Sequence, residues 1–156
     1  MAVVLISIKP KYVDLIMAGK KRYELRRGGS TVQAGDTLLL YSTSPEKAVV
    51  ATCDVKRTLS DTPSRIRRTV NSGAGIGEKE YAQYFKGASR ATAFELGRIK
   101  SLSVRPSLKD LKKLWGNPKV PRSYRFLSDK EVCTLKKWLN GGIPGTRQVL
   151  KRLRPQ

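Results

Sequence analysis

The segment Gly19-Lys20-Lys21-Arg22-Tyr23-Glu24-Leu25-Arg26 reads G-x-K-x-x-E-x-R. It follows an apolar stretch and a short amphipathic stretch, and its glycine is typical of the end of a helix. Beyond the glycine the residues alternate, so that Tyr23 and Leu25 point one way and the charged residues point the other way. The pattern predicts a half-buried strand with a charged outer face.

Three charged residues of this segment, Lys21, Glu24 and Arg26, bring both signs of charge close to one turn. Lys21 is a flexible point charge whose pKa responds to its neighbours. Arg26 offers a planar fork to a phosphate or to Glu24, and Glu24 can accept hydrogen bonds from a nucleobase or orient Lys21. One interpretation is a small site for an anionic or strongly polar ligand. The other is an ordinary strand face with cross-strand ion pairs, and the spacing alone leaves both open.

The composition indicates one domain and a polyanionic partner. A chain of 156 residues with 39% hydrophobic content is long enough for one real core. Its 32 Lys and Arg residues against 12 Asp and Glu residues give a net charge of +20. Such a field attracts polyanions, and we predict nucleic acid as the partner. No strongly apolar helix face accompanies the basic residues, so we predict no membrane association. We take the protein to be a monomer.

Histidine is absent, and the two cysteines are Cys53 and Cys133. The commonest metal ligand and general base is therefore missing, and two isolated cysteines cannot form a structural zinc site. We predict neither a metal nor a cofactor. Both thiols are expected to be buried, in a protein of a reducing cytoplasmic compartment. The apolar stretch Met1–Ile6 is too short to span a membrane and is predicted to be a strand.

The first hundred residues predict strands interspersed with short helices. The predicted strands are Val3–Ile8, Arg22–Arg26, Thr37–Tyr41, Ala48–Val55 and Ala91–Leu96, the last with an optional continuation to Leu102. The predicted helices are Tyr12–Ala18, a helix that starts at Thr62-Pro63, and Glu78–Phe85. The alternation of residues in the fourth predicted strand indicates that one face of it carries Val49, Ala51, Cys53 and Val55.

The C-terminal third is predicted to be helical. Two capping boxes, Ser107-x-x-Asp110 and Ser128-x-x-Glu131, each start a helix. Gly141-Gly142 is expected to end the second helix, and residues 146–153 are expected to form a last one. We therefore divide the chain into a β-barrel domain of residues 1–127 and a helical extension of residues 128–156, packed on or next to it.

Two further segments each allow two interpretations. Residues 73–77 read Gly-Ala-Gly-Ile-Gly, which lacks the order of a dinucleotide-binding loop. This segment is expected to be a flexible connector that can also act as a lid over the charged segment. Residues 121–126 interleave aromatic residues with arginines, which suits the stacking of a base and the binding of its phosphate. The alternative is a linker that Tyr124 and Phe126 anchor on the core.

Basic residues dominate residues 98–125, where nine Lys and Arg stand against one acid, Asp110. A solvated face normally mixes both signs, so this asymmetry favours a surface that follows a nucleic-acid backbone. The full set of candidate nucleic-acid-binding residues is Lys9, Lys20, Lys21, Arg22, Glu24, Arg26, Arg65, Arg68, Arg122, Tyr124 and Arg125.

The segment that begins at Gly19 resembles the motif of the ASCH family, the activating-signal-cointegrator homology domains. The motif G-x-K-x-x-E-x-R is matched residue by residue, and its context is similar as well. A strand ending in residues 7–10 precedes it, Gly35–Tyr41 follows it, and Tyr84–Gly87 stands before a later strand. The resemblance covers roughly residues 3–127.

The resemblance implies an α+β fold, a small PUA-like mixed β-barrel of about five to six strands with flanking helices and a helical C-terminal part. It also implies a cleft that is lined by the motif and faces RNA, so that RNA rather than DNA is the expected partner. The function implied is binding of single-stranded RNA or of a modified nucleotide.

Enzymatic alternatives follow from the same resemblance. They are a metal-independent ribonuclease or an amidohydrolase of the N4-acetylcytidine type, with Lys21, Glu24 and Tyr84 as the catalytic residues. In the amidohydrolase group a threonine stands where this chain has Glu24, which counts against a threonine nucleophile here. A further alternative, from the residues alone, is a DNA-binding regulator that uses the C-terminal basic helices.

Overall fold

The structure, a computed structural model, describes residues 1–142. Its strands are β1 (Val3–Ile8), β2 (Tyr23–Arg27), β3 (Thr37–Ser42), β4 (Ala48–Asp61), β5 (Ala91–Ser101) and β6 (Tyr124–Phe126). Its α-helices are α1 (Pro10–Met17), α2 (Pro63–Val70), α3 (Glu78–Phe85), α4 (Leu108–Trp115) and α5 (Asp129–Gly142). A 3₁₀ turn, Asn71–Ala74, lies between α2 and α3.

The six strands form one mixed sheet in the order β2-β5-β4-β3-β1-β6. Only the β1–β3 pair is parallel, and the other pairs are antiparallel. Register shifts along β4 bend the sheet, because each bulge adds local twist. The sheet is therefore curled into a half-barrel flanked by helices, which confirms the predicted α+β barrel-like fold.

Side chains connect the two edges of the half-barrel. Arg26 on the edge strand β2 donates from Nη2 to the carbonyl of Ser7 on β1 at 2.8 Å. The Tyr124 hydroxyl on the opposite edge strand β6 donates to Oγ of Ser30, which follows β2, at 2.7 Å. These bonds bring the end of β1 close to β2, and a cleft lies at this end of the barrel.

Apolar side chains pack on both faces of the sheet. The inner face holds the main core, in which Leu38, Leu40 and Phe94 are fully buried and Val13 and Ile16 of α1 cover the sheet. On the outer face, α4 and α5 cover β1, β3 and the start of β4. A third cluster joins α2 and α3 to β2 and β5. The described part of the predicted helical extension thus shares an apolar cluster with the sheet.

The structure corrects the face assigned to Val49. Alternation alone placed it with Ala51, Cys53 and Val55, but Val49 packs in the outer cluster and the other three residues in the inner core. The pairing between β3 and β4 shifts so that Leu40 faces Ala51 while Tyr41 faces Val49. The additional residue reverses the alternation beyond the bulge.

Two further expectations for the C-terminal third are wrong. Residues 124–126 form β6, because their backbone pairs with β1, and are neither helix nor linker. Cys133 is exposed on α5, whereas Cys53 is buried as expected. Helix α5 includes Gly141 and Gly142, the last described residues, so its predicted end at these glycines stays a prediction. The helix predicted at residues 146–153 lies outside the described residues.

Residues 71–77 are an ordered part of the fold, not an open connector. Gly73 and Ala74 are buried, and the Gly73 carbonyl accepts a bond from the Arg22 amide at 2.8 Å. Both predicted capping boxes are present, at Ser107 and at Ser128. Within residues 1–142, no helix has the length and apolar character needed to cross a membrane.

The packing on the two faces of the sheet can be tested by substituting neighbouring leucines on β3. Leu40 is buried in the inner core and Leu39 is buried against α4 and α5. We expect Leu40→Ala and Leu39→Ala each to lower the free energy of unfolding by about 2–5 kcal/mol, because each leaves a cavity. Chemical denaturation provides the measurement. Met17→Ala, at a side chain that is 39% exposed, serves as the control and should have little effect. A Leu39→Ala variant as stable as the wild type would show that the helices do not cover the outer face.

Candidate functional site

A cleft of 540 Å³ opens at the end of the half-barrel where β1 ends. Its floor comes from β2 and from the residues just before that strand. Its walls come from α1, α3, the end of β1 and the segment before β6. The lining residues are Ser7, Ile8, Lys9, Tyr12, Lys21, Glu24, Leu25, Arg26, Thr43, Ile76, Glu80, Gln83, Tyr84, Arg122 and Ser123.

Lys21 lies buried at the floor of the cleft, with only 3% of its surface exposed. Its Nζ donates to the carbonyl of Ala74 at 2.6 Å and lies 3.7 Å from Oε2 of Glu24. Burial lowers the pKa of Lys21 below its ordinary value of 10.5; Glu24 opposes this shift and Arg26 adds to it. The neutral form of the Lys21 amine is therefore populated at a lower pH than that of a surface lysine.

Glu24 is also buried and is shared between two cations. Its Oε1 accepts a bond from Nη1 of Arg26, and its Oε2 has no hydrogen-bond partner among the described residues. Arg26 also donates to the carbonyls of Leu25 and Ser7, each at 2.8 Å. Since Arg26 is held by protein groups, we assign it to positioning Glu24. Oε2 is buried and lies against the Lys21 ammonium, so the carboxylate of Glu24 serves to hold the two cations together.

The 3₁₀ turn and the residues after it press against Lys21. Gly75 has φ +64°, and a Cβ at this position would lie 2.8 Å from the Cβ of Lys21. The missing side chain therefore lets the turn approach closely enough for Ala74 to accept the bond from Lys21. On the other side, the Lys21 ammonium lies 5.2 Å from the ring centre of Tyr12.

Polar residues of α1 and α3 meet at the rim of the cleft. Glu80 on α3 accepts bonds from the Tyr12 hydroxyl and from Nζ of Lys11. Tyr84, one turn further along α3, is 36% exposed, and its hydroxyl donates to the Leu25 carbonyl at 3.3 Å. A phenol and a carboxylate thus stand near the entrance, above the buried lysine.

The cleft brings together about half of the candidate residues from the sequence. Those that line it are Lys9, Lys21, Glu24, Arg26, Tyr84 and Arg122. The prediction of a charged outer face on β2 is wrong in one respect, because Glu24 is 4% exposed and faces the cleft. Curling of the sheet turns this face of β2 towards α1 and the 3₁₀ turn, which shield it from solvent.

The other candidates lie outside the cleft. Lys20, Arg65 and Arg68 are exposed, and Arg65 lies 3.8 Å from Asp61. Arg22 lines a separate pocket with Ser72. The last two candidates lie on β6 and have partners within the protein. Tyr124 bonds to Ser30 and packs on Phe94, while Arg125 pairs with Glu131 at 2.9 Å and packs over Trp115.

Several lining residues carried no signal in the sequence. They are Ser7, Tyr12, Thr43, Glu80, Gln83 and Ser123. Tyr12 and Glu80 stand on two separate predicted helices, and nothing in the sequence relates one to the other. Their contact with each other depends on the packing of α1 near α3, across 68 positions in the sequence. Among residues 1–142, no group of three or more His, Cys, Asp or Glu side chains is placed to hold a metal ion.

Comparison with known proteins identifies relatives over most of the chain. A protein of Zymomonas mobilis named "ASCH domain-containing ribonuclease" is 28% identical over 131 residues, which cover 83% of this chain and 87% of that protein. A crystal structure of an ASCH protein from the same organism superposes with a TM-score of 0.80 at 26% identity, covering 87% of this chain and 94% of the other. A mutant form from that organism gives a TM-score of 0.82 at 25% identity, covering 88% and 96%.

The sequence profile of the ASCH domain matches residues 6–100, more than half of the chain. This match contains the motif at the floor of the cleft, and the fold agrees with the ASCH crystal structures. The chain therefore belongs to the ASCH domain family.

Proposed function

We propose that this protein binds single-stranded RNA in the cleft and cleaves it. The family and a relative named as a ribonuclease support a function that involves RNA. The observation that carries the proposal is the pair formed by Lys21 and Glu24, buried 3.7 Å apart at the floor of a cleft. A lysine with a lowered pKa beside a buried carboxylate is a combination suited to proton transfer.

In the proposed reaction, the ribose 2′-oxygen attacks the adjacent phosphorus. The 2′-hydroxyl proton passes to the neutral amine of Lys21, a bond forms between phosphorus and O2′, and the bond between phosphorus and O5′ breaks. Tyr84 donates a proton to the leaving O5′ and regains one from water, while the Lys21 ammonium returns its proton to water. The products are a 2′,3′-cyclic phosphate and a free 5′-hydroxyl. The exposed cations Lys9 and Arg122 at the cleft stabilise the charge on the phosphoryl oxygens. Glu24 holds Lys21 in place.

A second candidate function is RNA recognition without cleavage. The supporting observation is that the Lys21 ammonium already donates to Ala74 at 2.6 Å. In this case Lys21 serves as a fixed positive charge, and the cleft reads a nucleotide through Glu24 and the rim. The predicted amidohydrolase activity and the predicted DNA-binding role have no support of this kind, but the same purified protein can be assayed for them.

The first prediction concerns the lysine at the floor of the cleft. We expect Lys21→Met to lower the rate of RNA cleavage by about 10²- to 10⁴-fold, because the variant loses the proton acceptor. The measurement is cleavage of labelled single-stranded RNA in EDTA, with N4-acetylcytidine and duplex DNA as alternative substrates. Lys20→Met, at the exposed neighbouring position, is the matched control and should keep wild-type activity.

Each outcome of this assay is informative. Equal activity of the two variants would contradict the proposed role of Lys21. RNA binding without cleavage, weakened only by Lys21→Met, would establish the recognition function in its place.

The second prediction is the pH dependence of cleavage. If the neutral amine of Lys21 accepts the proton, the rate must rise with pH through the pKa of Lys21, which lies below 10.5 in the folded protein. A plot of log kcat against pH should show this rise, and the residual activity of Lys21→Met should lack it. A rate that falls with rising pH through this region would show that the ammonium form is required.

The third prediction tests how Lys21 is positioned. Gly75→Ala should reduce cleavage strongly, because the new Cβ would lie 2.8 Å from the Cβ of Lys21 and must displace it. Gly87→Ala is the control, since Gly87 also has a positive φ, +78°, but nothing within 4 Å of the added Cβ. Each variant should lose about 1–2 kcal/mol of stability from the left-handed backbone. Equal activities of the two variants would contradict the proposed role of the close contact.

A further inference from the structure

We propose that the exposed face of α4 is a second contact surface for RNA, which holds the strand where it leaves the cleft. The lysine surface, as we call it, consists of Lys109, Lys112 and Lys113 on α4 and Lys119 in the segment that follows. This inference rests on the proposed RNA function of the cleft and concerns a different face of the molecule.

The three helical lysines point to one side of α4. They stand at positions i, i+3 and i+4, which lie on one face of an α-helix, and all three are exposed. The opposite side of the helix packs on the sheet, with Leu111 fully buried and Leu108 and Leu114 partly buried in the outer cluster. Because the apolar side of α4 packs on the sheet, the orientation of its lysine-bearing side is fixed.

The charge of this surface is not neutralised within the protein. The one acid on α4, Asp110, accepts bonds from the amide and hydroxyl of Ser107 and is used in the capping box. Over residues 1–142, no salt bridge joins any of the four lysines to a carboxylate side chain. The remaining residues, 143–156, include no Asp or Glu. Four exposed cations without a carboxylate partner are available to phosphates.

Both ends of α4 are connected to the cleft. At its first turn, the Leu108 amide donates to the Lys47 carbonyl at 2.8 Å, in the turn that begins at the lining residue Thr43. After its last turn, the chain passes Lys119 and reaches the end of β1, where the Ser7 hydroxyl donates to the Pro121 carbonyl at 2.7 Å. The next residue, Arg122, lines the cleft. A strand that leaves the cleft over Arg122 is therefore led along the segment that carries Lys119 back to α4.

The surface fits a nucleic-acid backbone better than a membrane. The large hydrophobic residues exposed within residues 1–142 are Met1, Met17, Tyr84 and Phe126, and none of them lies on α4. A helix that inserts into a lipid surface needs an apolar face that is free to do so. The apolar face of α4 is instead committed to the core.

The test removes the three helical charges together. The variant K109Q/K112Q/K113Q is compared with K56Q/K130Q/K137Q, which loses the same charge at exposed lysines of β4 and α5. Affinity for fluorescein-labelled, single-stranded 2′-O-methyl oligo(U), which lacks the attacking 2′-hydroxyl, is measured over a series of salt concentrations by anisotropy. Since each phosphate contact contributes about 0.7 to the slope of log K against log salt, we expect the α4 variant to reduce the slope by about 2. Thermal unfolding confirms that both variants are folded.

The control variant should change the slope much less than the α4 variant. Equal changes in both variants would show an effect of net charge alone and would overturn the inference. It would also be overturned by an α4 variant with the wild-type RNA slope, including one that loses binding only to phosphatidylserine vesicles. A Lys21→Met measurement in parallel separates the two proposals, because it reports on the cleft whether or not the lysine surface contributes.

Discussion

Burial of the charged residues Lys21, Glu24 and Arg26 is the constraint on which the rest of the structure depends. Charges removed from water are tolerated only when other charges and hydrogen bonds compensate them. Here the compensation comes from distant parts of the chain, because Arg26 reaches Ser7 on β1 and Lys21 reaches Ala74 in the 3₁₀ turn. The same bonds that satisfy the charges therefore hold the end of the half-barrel together and shape the floor of the cleft.

The carboxylates of the protein are largely used internally, which leaves the outside positive. Glu24 is buried in the cleft, Asp110 caps a helix, and Glu131 pairs with Arg125. Asp36 accepts bonds from the backbone amides of Ala2 and Gln33. The chain carries a net charge of +20, and within residues 1–142 most lysines and arginines are exposed. A field of this sign attracts polyanions.

Sequence reasoning was most accurate where the physical signal is local. The capping boxes at Ser107 and Ser128 needed only short-range spacing, and the structure has both. Errors arose where distant contacts decide the outcome. The short strand β6 exists because β1 offers it an edge, and Val49 changes face because of a bulge that its own alternation does not encode.

The sequence by itself determined the strand–helix–strand arrangement around the motif, the family to which it belongs and the excess of positive charge. These properties depend on residue identities and on spacings within one element or its neighbours. Only the tertiary structure decided that Glu24 faces a cleft and not solvent, that Tyr12 and Glu80 meet at its rim, and that Arg125 is paired internally. The physical reason is that burial and ion pairing depend on the curl of the sheet, which joins residues far apart in the chain.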